Sequence, residues 1–199
     1  LGVDVVVSGG QTMNPSTKDL LDAVNKVNAD AVIILPNNSN IIMAANSAAQ
    51  LSERPCGVVP TKSVPASFSA LFGADPEADL DTNIESMTDA FSEVKTGEIT
   101  TAIKDSKDAH DNPIHNGDVI GIADGSIEAV GQSLEEVLFA LLKTMEAEDM
   151  DNLTLLAGAD LSQDDFDALV EKVEQEYDDL EIDAQRGEQP LYPLVFSLE

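Results

Sequence analysis

Two short loops carry the side chains best suited to holding a small anion. The first, in VVVSGGQTMNPSTKDLL, offers Ser8, Gly9, Gly10, Gln11, Thr12, Asn14 and Ser16 between an apolar run and a helical pattern. The second, in VIILPNNSNIIMAANSAAQL, offers Asn37, Asn38, Ser39 and Asn40 in the same setting. Thr61 and Lys62 follow a third apolar run and add a hydroxyl and a cation. The first N–H groups of a helix have no partner inside it, and open α/β sheets gather such helix starts at their strand ends. Loops of this kind therefore bind phosphates and carboxylates. The same residue types also cap their own helices, and the residues alone leave both readings open.

The chemistry on offer is binding. An amide is no general base near neutral pH, so the Asn-rich loop cannot run acid–base catalysis. Gly9 and Gly10 lack the third glycine of a dinucleotide fingerprint, and no GxxxxGK[ST] occurs. The only histidines, His110 and His115, sit in a polar loop with Asn112-Pro113, which supplies neither a scaffold nor orienting partners for a metal. The Asp-rich stretches lack the glycine and glutamate of a calcium loop. Cys56 is the single cysteine, which excludes an internal disulfide and fits a reducing compartment. No catalytic residue and no metal ligand is assigned.

The elements that must position these loops are legible as patterns. Val3–Val7, Ala31–Leu35 and Gly57–Val59 are β-branched apolar runs of the kind found in buried parallel strands. Between the first two, Leu20, Leu21, Val24 and Val27 mark one face of a helix entered through Asn14-Pro15-Ser16. Between the second and third, Ile41, Ile42, Ala45, Ala48, Ala49 and Leu51 mark another. The order β-α-β-α-β predicts right-handed crossovers on a parallel sheet. Leu80, Ile84, Met87, Phe91 and Val94 then recur at helical spacing, as a connector helix whose Asp79, Asp81 and Glu85 suit the positive end of its dipole. A boundary near Asp75 is expected, giving lobes over residues 1–75 and 76–199. In the second lobe Asp124-Gly125 signals a two-residue hairpin, Ser133/Glu136 and Ser162/Asp165 have capping-box spacing, and Leu161 with Phe166 suits a hydrophobic staple. The segment Leu191–Leu198 reads as a docked strand. The fold class is α/β: a parallel-sheet lobe followed by a mixed or antiparallel sheet covered by helices.

Composition narrows the partners. The 199 residues, 43% of them hydrophobic, suffice for one large or two small cores. Ten basic residues against 38 acidic ones give a net charge of −28, which repels nucleic acid and anionic lipid and suits a solvated, self-repelling surface or a basic partner. No run is long enough to span a membrane and no secretory signal opens the chain, so a cytoplasmic location is the expectation. Leu1 in place of Met suggests a start inside a longer polypeptide, with a parent strand upstream. An edge exposed there could be covered by a second copy, so a homo-oligomer is allowed.

The stretches SGGQTMNPSTKDLL, VIILPNNSNIIMAANSAA, VVPTKSVPASFSALF, EITTAIKDS and NGDVIGIADG, in that order, resemble the C-terminal region of the fatty acid kinase large subunit, the YloV-like or DhaL-domain-containing kinase-related family. The resemblance spans nearly the whole chain. It implies a DegV-like fold and a parent protein whose other domains bind ATP and Mg2+, so that this part needs no cofactor of its own. The implied partner is a separate DegV-like fatty-acid-binding subunit, which this domain would dock or position for acyl phosphorylation. In lipid-binding relatives, hydroxyl-rich loops after the first strands hold the carboxylate. By resemblance, then, Ser8, Thr12, Ser16 and the Asn37–Asn40 loop are the alternative: a fatty acid or small-carboxylate site in this chain itself. The second loop departs from the Ser-Gly-rich pattern of those relatives.

Overall fold

A computed structural model describes residues 2–9, 14–108 and 111–199. The chain divides into two units, Leu1–Glu93 and Val94–Glu199.

The first unit is built on two parallel strands, β1 (Val32–Ile34) and β2 (Cys56–Val58), in register Val32 with Cys56 and Ile34 with Val58. Because strand side chains alternate, this small sheet has two apolar faces. Ile34 and Val58 pack with Leu20 of α1 (Thr17–Lys26) and Ile41, Ala45 and Ala48 of α2 (Ser39–Leu51). Ile33, Leu35 and Val59 pack with Ala70 of α3 (Val64–Phe72) and Ile84 and Met87 of α4 (Leu80–Ala90). A Cβ on Gly57 would overlap Ile84, so the glycine is what lets α4 lie against β2.

Each helix starts on a side-chain cap. Ser16 and Asp19 form a reciprocal capping box, Asn38 accepts from Asn40 N–H, Ser63 from Ala66 N–H and Asp79 from Thr82 N–H. Buried Asn83 ties down the turn before α4, accepting from Asp75 N–H at 2.7 Å and donating to Asp75 O at 2.8 Å.

Two expectations change here, and one helix, α3, is added to those expected. The Val3–Val7 run joins no ladder among the described residues. Val5 and Val7 turn inward, Val7 against the Leu20–Ile41 cluster, while Val6 is 84% exposed. The helix α3 is absent from the apolar pattern because it buries its small residues and not its large ones. The expected boundary near Asp75 moves to Glu93/Val94, since α4 spends its stripe (Ile84, Met87 and the adjoining Phe91) on Val59 and Ala70 of the first unit.

The second unit is one six-stranded sheet of order β7-β6-β3-β10-β8-β9: β3 (Lys95–Thr101), β6 (Val119–Ala123), β7 (Ser126–Gly131), β8 (Asn152–Ala157), β9 (Glu181–Arg186) and β10 (Leu194–Leu198). All neighbours are antiparallel except β8 and β9, which are joined through α6 (Gln163–Glu176). A short ribbon, β4 (Ser106–Lys107) with β5 (Pro113–Ile114), places Ile114 over Ile120. Alternate positions Ile99, Leu153, Leu155, Leu194, Phe196 and Leu198 form one core with Val137, Leu138, Leu141 and Leu142 of α5 (Leu134–Thr144) and Phe166, Leu169 and Val173 of α6. Asp124 and Gly125 take φ of 47° and 91°, the paired left-handed residues of the hairpin expected at β6–β7. The segment expected to dock as a strand does so centrally, as β10 between β3 and β8.

Candidate functional site

The strands β1 and β2 end side by side, and each leads through a short loop into a helix N-terminus, α2 or α3. Val59 N–H donates to Ile34 O at 3.1 Å, which carries the pairing past the strands. Beyond it the two loops are stapled together. Thr61, fully buried, donates its hydroxyl to Asn37 Oδ1 at 2.7 Å and accepts Asn37 N–H at 3.2 Å. Asn37 sits at φ 57°, a left-handed conformation that asparagine tolerates and that this two-bond clasp holds. Asn38 and Ser63 then spend their side chains on the first turns of α2 and α3.

The expected binding residues therefore separate into groups. Asn37 and Thr61 are brought together but satisfy each other. Asn38 caps α2, and Ser16 caps α1 through bonds of 2.7 to 3.2 Å with Asp19, whose carboxyl is held below its usual range by the Ser16 hydroxyl and backbone N–H. Asn40 and Lys62 are exposed, and Lys62 makes no ion pair among the described residues. Ser8, Gly9 and Asn14 are exposed, whereas Gly10, Gln11 and Thr12 lie outside the described residues. No hydrogen bond among the described residues links Ser8, Asn14 or Ser16 to the Asn37–Thr61 clasp.

Two hollows open on the first unit. One, of about 400 Å3, lies beside α1 and is lined by Val5, Val7, Ser8, Asn14, Asp19 and Lys26 among others. The other, of about 480 Å3, lies at the start of α4 with Asp79, Asp81 and Glu85 on its rim. Both are wide surface depressions with as much polar as apolar wall, unlike the enclosed apolar pockets that surround lipid tails.

Both arginines of the chain are used structurally: Arg54 donates to Val27 O at 2.6 Å and Ala29 O at 3.0 Å, and Arg186 to Leu161 O at 2.6 Å and Gly158 O at 2.9 Å. His115 lies 3.5 Å from Asp118 in an exposed turn, its backbone N–H holding the Asp118 carboxyl below the usual range, and His110 is outside the described residues. Burial pushes the Cys56 thiol up, away from the thiolate that reactivity needs. Among the described residues no three His, Cys, Asp or Glu side chains gather as a metal site, and no helix is long and apolar enough to cross a membrane.

The outward face of α3 has no counterpart among the residues that the sequence singles out. Val64 and Phe72 are 45% and 78% exposed, with Phe68 half-buried between them. The available signal was a gap in charge. From residue 31 to residue 74 the only charged residues are Glu53, Arg54 and Lys62, in a chain of net charge −28.

Relatives share this chain over its full length. Residues 1–199 match the C-terminal family of FakA-like fatty acid kinase proteins. Protein YloV of Bacillus subtilis is 42% identical over 200 residues, and an uncharacterized protein of Staphylococcus haemolyticus is 40% identical over 199. Each comparison covers 100% of this chain and 36% of the relative, so the chain spans about a third of the length of these proteins. Among solved structures, a fatty-acid-binding DegV family protein from Thermus thermophilus superposes with TM-score 0.61 at 15% identity, covering 94% of this chain and 78% of that one. The Streptococcus pneumoniae fatty acid kinase B3 protein, loaded with linoleic acid, gives 0.62 at 11% identity, covering 93% and 76%. At these identities the superpositions establish the DegV fold. The chain belongs to the FakA-like fatty acid kinase family, of which it forms the C-terminal, DegV-fold part.

Proposed function

We propose that this chain is the docking domain of a fatty acid kinase-like protein. It is non-catalytic and holds a DegV-like fatty-acid-binding subunit while other domains, with ATP and Mg2+, phosphorylate the acyl carboxylate. The observation that carries the reading is the fate of the polar groups at the strand ends. Thr61 and Asn37 bond to each other, and Asn38 and Ser63 cap helices. Among the described residues of these two loops, Lys62 is the one charged side chain and it is exposed, so most of the polar groups are spent on the fold and not on a ligand. The full-length match to a C-terminal family, over about a third of each relative, supports assigning the phosphoryl chemistry to the remainder. Isothermal titration of the purified chain with the cognate fatty-acid-binding subunit is expected to give a one-to-one complex. Failure to bind a subunit that the full-length relative does bind would move docking to another domain.

A second reading takes the chain as a fatty acid or small-carboxylate binder in its own right. It is favoured by the fatty acid binding recorded for the Thermus and Streptococcus neighbours, and by the hollow where Ser8, Asn14 and Lys26 meet Val5 and Val7. Native mass spectrometry separates the two: a stoichiometric acyl chain on the purified protein would promote the second over the first.

A further inference from the structure

We infer that Asn116-Gly117 is a site of spontaneous covalent modification, at which the asparagine amide is lost as ammonia and the residue becomes aspartate or isoaspartate. The inference stands apart from the docking reading and concerns the turn between β5 and β6.

The reaction needs an asparagine side chain free to fold back on the main chain, a following backbone nitrogen able to meet it, and water. Asn116 and Gly117 are both exposed. The backbone N–H of Asn116 donates to Asp105 Oδ1 at 2.9 Å, but its side chain makes no hydrogen bond among the described residues. Gly117 sits at φ 98°, the left-handed third residue of a turn closed by Asp118 N–H to His115 O at 3.1 Å. A Cβ built on it would meet nothing within 4 Å, so the nitrogen is approached through open space and carries no side chain to obstruct ring closure. Every other asparagine is followed by a residue with a side chain, and after Asn14 and Asn112 that residue is proline, which has no N–H to give. The Asp124-Gly125 pair is restrained by contrast, because Asp124 Oδ1 accepts the Thr96 backbone N–H at 3.0 Å and the Thr96 hydroxyl at 3.3 Å.

In the step itself the Gly117 nitrogen attacks the Asn116 side-chain carbonyl carbon. A new N–Cγ bond closes a succinimide ring, the Cγ–Nδ2 bond breaks, and the proton from the Gly117 N–H leaves with the amide as ammonia. Water then opens the ring at either carbonyl, giving aspartate or isoaspartate. One bond must open first, since Gly117 N–H donates to Ala102 O at 2.8 Å. Exposed turns open at far less cost than the whole fold, so this bond sets the pace of the reaction without preventing it. Isoaspartate puts an extra methylene into the main chain. Neither the Ala102 bond nor the His115–Asp118 turn then keeps its geometry, and both lie where Ile114, buried over Ile120, leads into β6.

The test is incubation of the purified chain at mildly alkaline pH, followed by peptide mass mapping and by methyl transfer from a protein isoaspartyl methyltransferase. The mass gain of amide-to-acid conversion is expected first in the peptide holding Asn116, with methyl acceptance there and loss of Gly117 amide protection in hydrogen exchange. Asn116→Gln, whose longer side chain closes a ring far more slowly, should lose that gain. If the folded chain stays unmodified over the period in which the urea-unfolded chain reacts, the turn protects the site and the inference is overturned. Modification first at another asparagine, or an undiminished gain in Asn116→Gln, overturns it equally.

Discussion

The two units bury apolar surface in opposite styles. The second gathers Phe196, Leu194, Leu153, Leu155, Leu138 and Leu141 into one continuous core between a six-stranded sheet and two helices. The first divides its burial between two thin layers on either side of a two-stranded sheet, and much of what it hides is alanine: Ala45, Ala48, Ala66 and Ala70. Its large side chains Met43, Leu51 and Phe72 are more than half exposed. Burial scales with the apolar area removed from water, so an alanine layer stabilises far less than a leucine layer. The second unit therefore has the larger apolar core, and the first leaves more of its large side chains in contact with solvent.

That contrast is open to direct attack. Leu141→Ala, at a fully buried position, should destabilise the chain by roughly 3 kcal/mol in urea unfolding, whereas Phe72→Ala should change stability by less than about 0.5 kcal/mol. Equal losses would erase the distinction between the units. Thr61→Val removes both bonds to Asn37 and strands its amide, and a cost of about 1 to 2 kcal/mol is expected. Loss of amide protection at Asn37 in hydrogen exchange would identify the clasp as the cause. Ser63→Ala takes away the buried cap of α3 at about 1 kcal/mol, read as a lowered melting temperature.

The smallest effect concerns pH. Burial raises the Glu98 carboxyl above its usual range, so the folded chain holds that proton more tightly than the unfolded chain. Its destabilising contribution is absent below the unfolded pKa, grows as pH rises towards the folded pKa, and is complete above it. Glu98→Gln should accordingly raise the melting temperature at pH 7 and lose that advantage in acid. Asp79, lowered by its bonds from Thr82, has the opposite sign: it stabilises above its unfolded pKa, and the stabilisation is lost as pH falls through the lower folded value.

Local signals were the legible ones. The Asp124-Gly125 turn, the caps at Ser16, Ser133 and Ser162 and the inner faces of α1 and α2, with Leu20, Val24, Ile41, Ala45 and Ala48, are each decided within a few residues, and the structure keeps them. Leu51 of the expected α2 face is exposed, however, and Ser162 bonds Asp165 without the reciprocal backbone bond of a capping box. At Ser133 the details shift slightly, since Glu136 reaches back to Gln132 N–H, one residue before the cap. What depends on distant partners was not legible. Whether Val3–Val7 finds a strand to pair with, and which unit receives the stripe of α4, are settled by contacts far along the chain. The α3 face is a sharper case, because large side chains at helical spacing ordinarily point inward and here point out. The clasp between Asn37 and Thr61 joins loops 24 residues apart, so the sequence could name both residues as binding candidates but not that they bind each other.

The placement of β10 has a further consequence for how the chain acquires its structure. Lys95 pairs with Leu198, so the central ladder of the second unit closes only when its two extremes meet. In the first unit Val32 finds Cys56 across a single helix. Closing the longer loop costs more chain entropy before any contact compensates for it, and domains dominated by such distant pairings fold slowly. The small unit should reach its native arrangement first, while the large one, more stable once formed, sets the pace of the last refolding phase.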